Sequence, residues 1–419
     1  MRPGRALDDI LRRMNGLLSG MRVIEGSAFI AAPSGGMTLA QLGADVIRFD
    51  QIGGGLDYGR WPLAPGGTSL YWTGLNKGKR SIAVDLRNKE AQELLAALVC
   101  APGADAGIFL TNFPARGWMS FDRLRERRAD LVYINVVGDH DGTSAVDYTV
   151  NPAVGYPAVT GAVDDPRPVN HVLPAWDLIC GQAVAVGVLA ADRHRTRTGA
   201  GQLISLALSD VAFAVVSALG HVAEAQLLDR ERPRLGNDLY GAFGRDFATR
   251  DGRRVMPVAI SDKQWLSLTE ATESTEQLRL LAAQLGLDFD DEGDRFDARE
   301  EIAAIIAPWC AARTLAEVRQ AFDAHGVCWG PYQTFRQMVA DDPRCSTTNP
   351  LFAEIDQPGV GHVLAAGSPL SPASGRVPVA PAPVLGEHTD EVLTEILGLS
   401  SAELSGLHDR KVIAGPGPR

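Results

Sequence analysis

The chain has 419 residues, 45% hydrophobic and 22% charged, the make-up of a soluble globular protein with material for two or three domains. A formal net charge of −11 argues against a surface for nucleic acid or an anionic membrane, so a polyanionic ligand must find a local group of Lys and Arg. The five cysteines, at 100, 180, 310, 328 and 345, are odd in number and lack CxxC spacing, which disfavours a zinc or disulfide framework and fits a reducing cytoplasm.

Residues 1–20, "MRPGRALDDILRRMNGLLSG", carry four arginines and a helical scatter of Leu and Ile without a continuous apolar core. They read as a loosely attached N-terminal extension, or as an over-long start with translation beginning at Met21. No stretch is expected to reach the length of a membrane span. From residue 22 short β-type runs alternate with helical ones. "RVIEGSAF" predicts a strand, 33–43 a helix, "DVIRFD" and "RSIAVDL" two more strands, and "NKEAQELLAALVC" a helix. "AGIFLTNF", a helix near 120–128, "LVYINVVG", the helix after Asp177 and "GQLISLAL" continue the alternation, followed by one long apolar helix over 208–228. The pattern predicts an α/β fold with a parallel sheet, whose ligands sit beyond the carboxyl ends of the strands.

The composition then shifts. "LLDRERPRLGN", with Pro233 and Gly236, is predicted to close the first part of a large domain at residue 232 and open a small domain over 233–342. That domain should contain a strand pair turned at Asp251-Gly252 and an acidic run, "DFDDEGDRFDAREE", which reads as a solvated loop and helix start. "DDPRCSTTNP" returns the chain to a C-terminal segment, 343–419, whose Pro-rich stretch should run extended over a surface before a last helix.

Candidate chemistry is sparse. "APSGGMTLAQLGAD" stands where a nucleotide fingerprint would open a helix, yet it does not spell GxGxxG. Lys77, Lys79 and Arg80 in "LNKGKRSIAVDL" make a compact basic loop, which alone reads first as a solvated turn and becomes a phosphate cradle only if the ligand bears phosphate. Asn112, Phe113 and Arg116 end a strand with an amide, an aromatic face and a cation, suited either to a ligand or to a turn set by Pro114 and Gly117. No Ser lies in a GxSxG setting, and Cys180 falls within an apolar helix, so a hydrolase triad finds no nucleophile. Asp177 remains. In "HVLPAWDLICGQAVAVG" it opens a helix, where an Asp serves as a cap. The same place would keep its carboxylate ionised beside Trp176 and Leu173, as a nucleophile toward an activated acyl group with helix N–H groups for the oxyanion. Local sequence leaves both readings open.

From Met21 to the end the chain resembles the family III CoA-transferases, the CaiB/BaiF or formyl-CoA transferase family. "AQLGADVIRFD" is similar to the family's LADLGADVIKVE, "LNKGKRSIAVDL" to LNRGKRSIALDL and "TNFPARGW" to ENFRPG. "ADRHRTRTGAGQLISLALSDVA", "GVCWGPYQT", "DDPRC", "GSPL" and "APVLGEHTDEVL" match further landmarks in order. The resemblance implies a Rossmann-like large domain, a smaller α+β domain inserted in it, and two subunits interlocked as a homodimer. It implies that Asp177 forms acyl-anhydride and aspartyl-CoA intermediates. Arg48, Lys77, Lys79 and Arg80 would face CoA, with Asn112, Phe113 and Arg116 along the same path. No metal and no permanently bound cofactor are implied, CoA arriving as part of the substrate. Acyl-CoA racemases of the superfamily carry a histidine where Val146 precedes Asp147 here, so a two-base racemase is disfavoured.

The tetraglycine loop of formyl-CoA transferases is missing. "GSAFIAAPSGGMTLAQLG", "IGGGLDYGRWP" and "RLGNDLYGAFGRDF" look like a branch that moves CoA between the two carboxyls of one small branched dicarboxylic acid. Asn237, Tyr240 and Arg245 are then expected to hold the free carboxylate. The rivals are transfer to a separate dicarboxylic acid, a silent CoA-binding protein and a dinucleotide oxidoreductase.

Overall fold

The computed structural model describes residues 16–417, and the helix expected within residues 1–20 falls for the most part outside them. The described chain divides into two compact units, the first of residues 16–154, 172–226 and 343–417, the second of 155–171 and 227–342. Residues 155–171 leave the first unit and return before Asp177, an excursion that no shift in composition marks.

The first unit is built on a sheet of β1 (Arg22–Gly26), β2 (Asp45–Gln51), β3 (Arg80–Val84), β4 (Ile108–Thr111), β5 (Val132–Val137) and β6 (Gln202–Ala207), ordered β3-β2-β1-β4-β5-β6. All five pairings among them are parallel, and a short antiparallel strand, Ile413–Ala414, closes the edge beside β3. This is the doubly wound order, and its strand order reverses between β1 and β4, where a crevice opens beyond the carboxyl ends. β3 is buried along its whole length, which is why "RSIAV" reads as a run rather than an alternation.

Helix α1 (Ala31–Gln41) follows β1, α2 (Leu70–Leu75) precedes β3, and α3 (Lys89–Cys100) follows it. Asn88 caps α3 by accepting the Glu90 N–H at 2.8 Å, and Ala91, Leu95 and Leu98 turn one stripe onto Ile24, Ile82 and Phe109. Helices Thr389–Leu397 and Ser401–Asp409 add Val392, Leu393, Leu404 and Leu407 to the same core. One terminal helix was expected; Gly398 in the left-handed region and the Ser400 cap split that stretch in two.

Helix α4 (Asp147–Ala153) and helix α5 (Ala175–Thr198) complete the frame. At 24 residues α5 has the length and apolar composition of a membrane span, contrary to the sequence expectation. Its buried residues, Trp176, Cys180, Val184, Val188, Ala191 and Arg195, recur every three or four positions on one stripe, the pattern of a core helix. The single helix expected over 208–228 is broken instead into Leu208–Ala218 and His221–Leu227, bent by 63° at Gly220, which adopts φ +80°.

In the second unit β7 (Arg254–Ala259) pairs antiparallel with Phe243–Gly244, Phe247–Ala248 and Cys328–Pro331. The turn carries Gly252 at φ +75°, where a side chain would be strained. Helices 262–271, 299–311 and 315–325 supply Trp265, Leu268, Ile306 and Phe322 to its core. In the acidic run Asp291 caps the helix Glu292–Asp297, and no metal-competent cluster exists among the described residues.

Candidate active site

Asp177 is the third residue of α5, three positions beyond the N-cap Pro174, and its carboxyl has no hydrogen-bond partner among the described residues. The capping is done by Asp147 at the start of α4. Its Oδ2 accepts the backbone N–H of Trp176 at 2.8 Å and of Asp177 at 3.1 Å. Ala175 N donates to Leu173 O and Leu178 N to Pro174 O, so the first N–H groups of α5 are all engaged. The oxyanion donors expected from this helix start are therefore spent.

Burial, followed by the nearby Asp147 charge, pushes the Asp177 carboxyl up to about 7. The expectation of a carboxylate held ionised by the helix dipole is corrected: its surroundings favour the protonated form, because Asp147 rather than Asp177 collects the N–H groups that favour an anion. Cys180 is buried, and its thiol is pushed up to about 12 by burial and then by Asp177, which makes it inert.

Close helix packing fixes where Asp177 points. A Cβ on Gly181 would lie 2.0 Å from Ser34 Oγ, and one on Gly35 2.5 Å from Val184 Cγ1, so α1 and α5 meet through their glycines. Asp177 and Gly181 are four apart, on one face, which sets Asp177 above the start of α1 at the carboxyl end of β1. The glycines of "APSGGM" thus make room for close packing, Gly35 against α5 and Gly36 against Glu25.

Around that end several groups converge that the sequence does not announce. Phe29 adopts φ +67°, a conformation rare for an aromatic residue and frequent at functional turns. Its N–H is held by Asp57 Oδ2 at 3.0 Å. Asp57 is buried and takes Arg48 Nη2 at 3.2 Å. Tyr71 on α2 has its hydroxyl pushed up to about 12, chiefly by burial; Arg60 opposes the shift, and Asp177, Asp57 and Tyr148 add to it. The only visible signal for this group is the phrase "GGGLDYGRW".

Of the cations expected to face CoA, Arg48 is 1% exposed and forks onto Asp50 with two bonds of 2.9 Å. Lys79 Nζ is enclosed by Glu25 at 2.8 Å, Pro33 O at 2.8 Å and Asn76 at 2.9 Å; burial lowers it to about 8 despite Glu25. Gly36 leaves the space for Glu25, since a Cβ there would stand 1.8 Å from Oε2. Arg80 begins β3, at the amino end of the sheet, and binds Asp45, Glu391 and Glu395. Lys77 is half-buried, donates to Gly74 O at 2.6 Å and is lowered to about 8 by burial.

Asn112 exchanges two hydrogen bonds with the Ala28 backbone, at 2.9 and 2.8 Å, stitching the loops after β1 and β4 across the switch point. Phe113 packs against Phe49 with ring centroids 6.5 Å apart, while Arg116 is exposed. In the second unit Arg245 is forked between Asp238, at 2.6 Å, and Glu300, at 2.5 Å. Asn237 donates to Asp246 at 3.0 Å, and the Tyr240 ring is covered by Arg232, 4.0 Å from its centroid.

Comparison with known proteins agrees with this architecture. The profile of CoA-transferase family III matches residues 18–389. The chain is 61% identical over 405 residues to a 2-methylfumaryl-CoA isomerase of Chloroflexus aurantiacus, covering 96% of this chain and 99% of that protein. It is 31% identical to a succinyl-CoA:mesaconate CoA-transferase of Haloarcula marismortui, covering 91% and 96%. A CaiB/BaiF family protein from Brucella suis shares the fold, with a TM-score of 0.74 at 24% identity over 91% of this chain and 100% of that one.

Proposed function

The chain belongs to CoA-transferase family III, and from that premise we propose that it isomerises 2-methylfumaryl-CoA, moving CoA from the C1 to the C4 carboxyl of one mesaconyl group. The identity of 61% across 96% of the chain supports the reaction. For the chemistry, one observation carries the reading: the carboxyl of Asp177, desolvated and relieved of capping by Asp147.

Ionised Asp177 attacks the C1 thioester carbonyl; the C–S bond breaks, CoA leaves as thiolate, and a mixed anhydride forms. The thiolate attacks the aspartyl carbonyl, giving an Asp177–CoA thioester and free mesaconate. Mesaconate turns, and its C4 carboxylate attacks that thioester, expelling the thiolate again. Thiolate attack at C4 releases Asp177 as carboxylate and yields 3-methylfumaryl-CoA. No proton is gained or lost overall. An aspartate raised toward 7 is a stronger nucleophile than an ordinary one while still ionised in useful fraction. Exclusion of water protects both activated acyl intermediates from hydrolysis.

In this reading Phe113, Arg116 and Lys77 border the CoA path, and Arg48, Lys79 and Asn112 act behind it, holding the loops at the carboxyl ends. Asn237 and Tyr240 stay on the list of groups for the free carboxylate; Arg245 has spent its guanidinium on Asp238 and Glu300. The family resemblance also supports an interlocked homodimer, which light scattering would test.

The experiment is incubation with 2-methylfumaryl-CoA alone, followed by mass spectrometry of the protein. Isomerisation with an acyl or CoA adduct on Asp177 is expected, and both should vanish in Asp177→Asn. The relatives 31% identical carry the name of an intermolecular transferase, which favours transfer to separate mesaconate as the second reading. Labelled free mesaconate entering the product as fast as isomerisation proceeds would decide for it.

A further inference from the structure

A substrate with two carboxyls leaves one of them free and charged at every stage of the reaction, and both are free when CoA rests on the enzyme. An isolated carboxylate taken out of water is costly unless a cation meets it. A guanidinium does so best, with two parallel N–H bonds in a fixed plane. The expected holder, Arg245, is already forked between two carboxylates.

Arg60 is not. It is exposed and has no carboxylate partner among the described residues. Its guanidinium carbon lies 5.2 Å from the ring centroid of Tyr71 and 5.7 Å from that of Phe29. The backbone is fastened at both groups: Arg60 N donates to Asp57 O, and the buried Ser69 hydroxyl donates to Arg60 O while accepting the Trp72 N–H that starts α2. Two rings within cation–π distance restrict the guanidinium, and its N–H groups have no hydrogen-bond partner among the described residues. The strained turn at Phe29 keeps one of those rings in place, at the cost of a left-handed backbone that Asp57 holds. Phe29 places this cation at the loop between β1 and α1, the end of the sheet over which Asp177 stands, and the charges of Arg60 and Asp177 both reach the Tyr71 hydroxyl.

We propose that Arg60, set within cation–π distance of Phe29 and Tyr71, binds the free carboxylate of the acyl chain and makes the site select CoA esters of dicarboxylic acids over those of monocarboxylic acids. The inference rests on the isomerase reading for its substrate. It assigns to Arg60 a specificity role, and the retention of mesaconate while it turns.

The test measures binding, so that turnover does not enter. In the Asp177→Asn protein, dissociation constants are determined by calorimetry for 2-methylfumaryl-CoA and for crotonyl-CoA, which has the same chain length and no free carboxyl. The preference for the dicarboxylate ester should fall by ~30-fold when Arg60→Gln is added, from the loss of a charge-assisted bond pair, and recover in part with Arg60→Lys. Free CoA, measured alongside, should bind all these proteins equally, which separates the role from a general loss of structure. An unchanged preference after Arg60→Gln overturns the proposal, as does a parent protein that favours neither ester. Failure of the isomerase reading would look different: the wild-type chain would leave 2-methylfumaryl-CoA unconverted.

Discussion

Asp147 Oδ2 accepts the backbone N–H of Asp177 at 3.1 Å, so one aspartate caps the helix that the other one opens. The arrangement divides two duties that one carboxylate at a helix start would otherwise combine. A capping carboxylate is stabilised as an anion and is a poor nucleophile. By surrendering the cap, Asp177 stays desolvated and unpaired, and the Asp147 charge adds to burial in raising it to about 7.

Activity should therefore fall on the acid side with an apparent pKa near 7, as the nucleophile is lost to protonation. In Asp147→Asn the side-chain oxygen still caps α5 while the charge is gone, and the acid limb of kcat/KM should move to lower pH. Asp147→Ala loses the cap as well and should cost about 1–2 kcal/mol in urea unfolding. A limb that stays in place in Asp147→Asn would mean that the two carboxyls do not interact.

Stability has its own pH signature. The carboxyl of Asp177 sits above its unfolded value, so the folded state holds the proton more tightly. The contribution of this group to stability is then greatest below about 4 and declines as pH rises toward 7, levelling beyond it. Asp177→Asn removes that penalty. Allowing for solvent screening at a partly open site, the variant should gain of order 1 kcal/mol at pH 8 and nothing at pH 4. Melting temperatures at the two pH values read the difference, while catalysis is abolished at both.

The alternation of "RVIEG", "DVIRFD", "RSIAVDL" and "LVYINVV" with helical runs suffices to predict a parallel α/β sheet, because buried parallel strands write themselves as apolar runs. The edge strand Ile413–Ala414 is too short to carry a period, and Gly220 breaks a continuous apolar pattern through backbone geometry that composition does not encode. At the site, Asp177 is visible because it opens a helix. Its cap is not, since Asp147 lies 30 positions away and reaches it only through the fold. The basic residues mislead for a related reason. "LNKGKR" looks like a charged loop until Glu25 and Asn76 on one side, and Asp45 on the other, are brought against Lys79 and Arg80. Charge in sequence says nothing of whether its partner is ligand or protein.

The glycine contact between α1 and α5 makes a steric prediction. In Gly181→Ala the new methyl would stand 2.0 Å from Ser34 Oγ and 3.0 Å from Ala31 O, forcing the helices apart. A loss of about 1–3 kcal/mol in stability is expected. A fall in kcat should accompany it, since Asp177 rides on the same helix one turn earlier. Adding Ser34→Ala removes the nearer clash and should restore part of both.

Arg48 distinguishes a buried structural cation from a ligand-binding one. Its guanidinium meets Asp50 and Asp57 in an enclosure from which solvent is excluded, and Asp57 passes the constraint on to Phe29. Arg48→Met would leave those carboxylates buried without a counter-ion and should cost ~3–5 kcal/mol of stability. Lys79→Met should act in the same direction through Glu25, which already has one oxygen without a partner. By contrast, replacing a residue whose duty is to hold a CoA phosphate would raise the dissociation constant for free CoA, flatten its salt dependence and leave urea unfolding untouched. If Arg48→Met unfolds at the wild-type urea concentration and binds CoA more weakly, its side chain turns outward in solution and the buried network is not what holds the Phe29 turn.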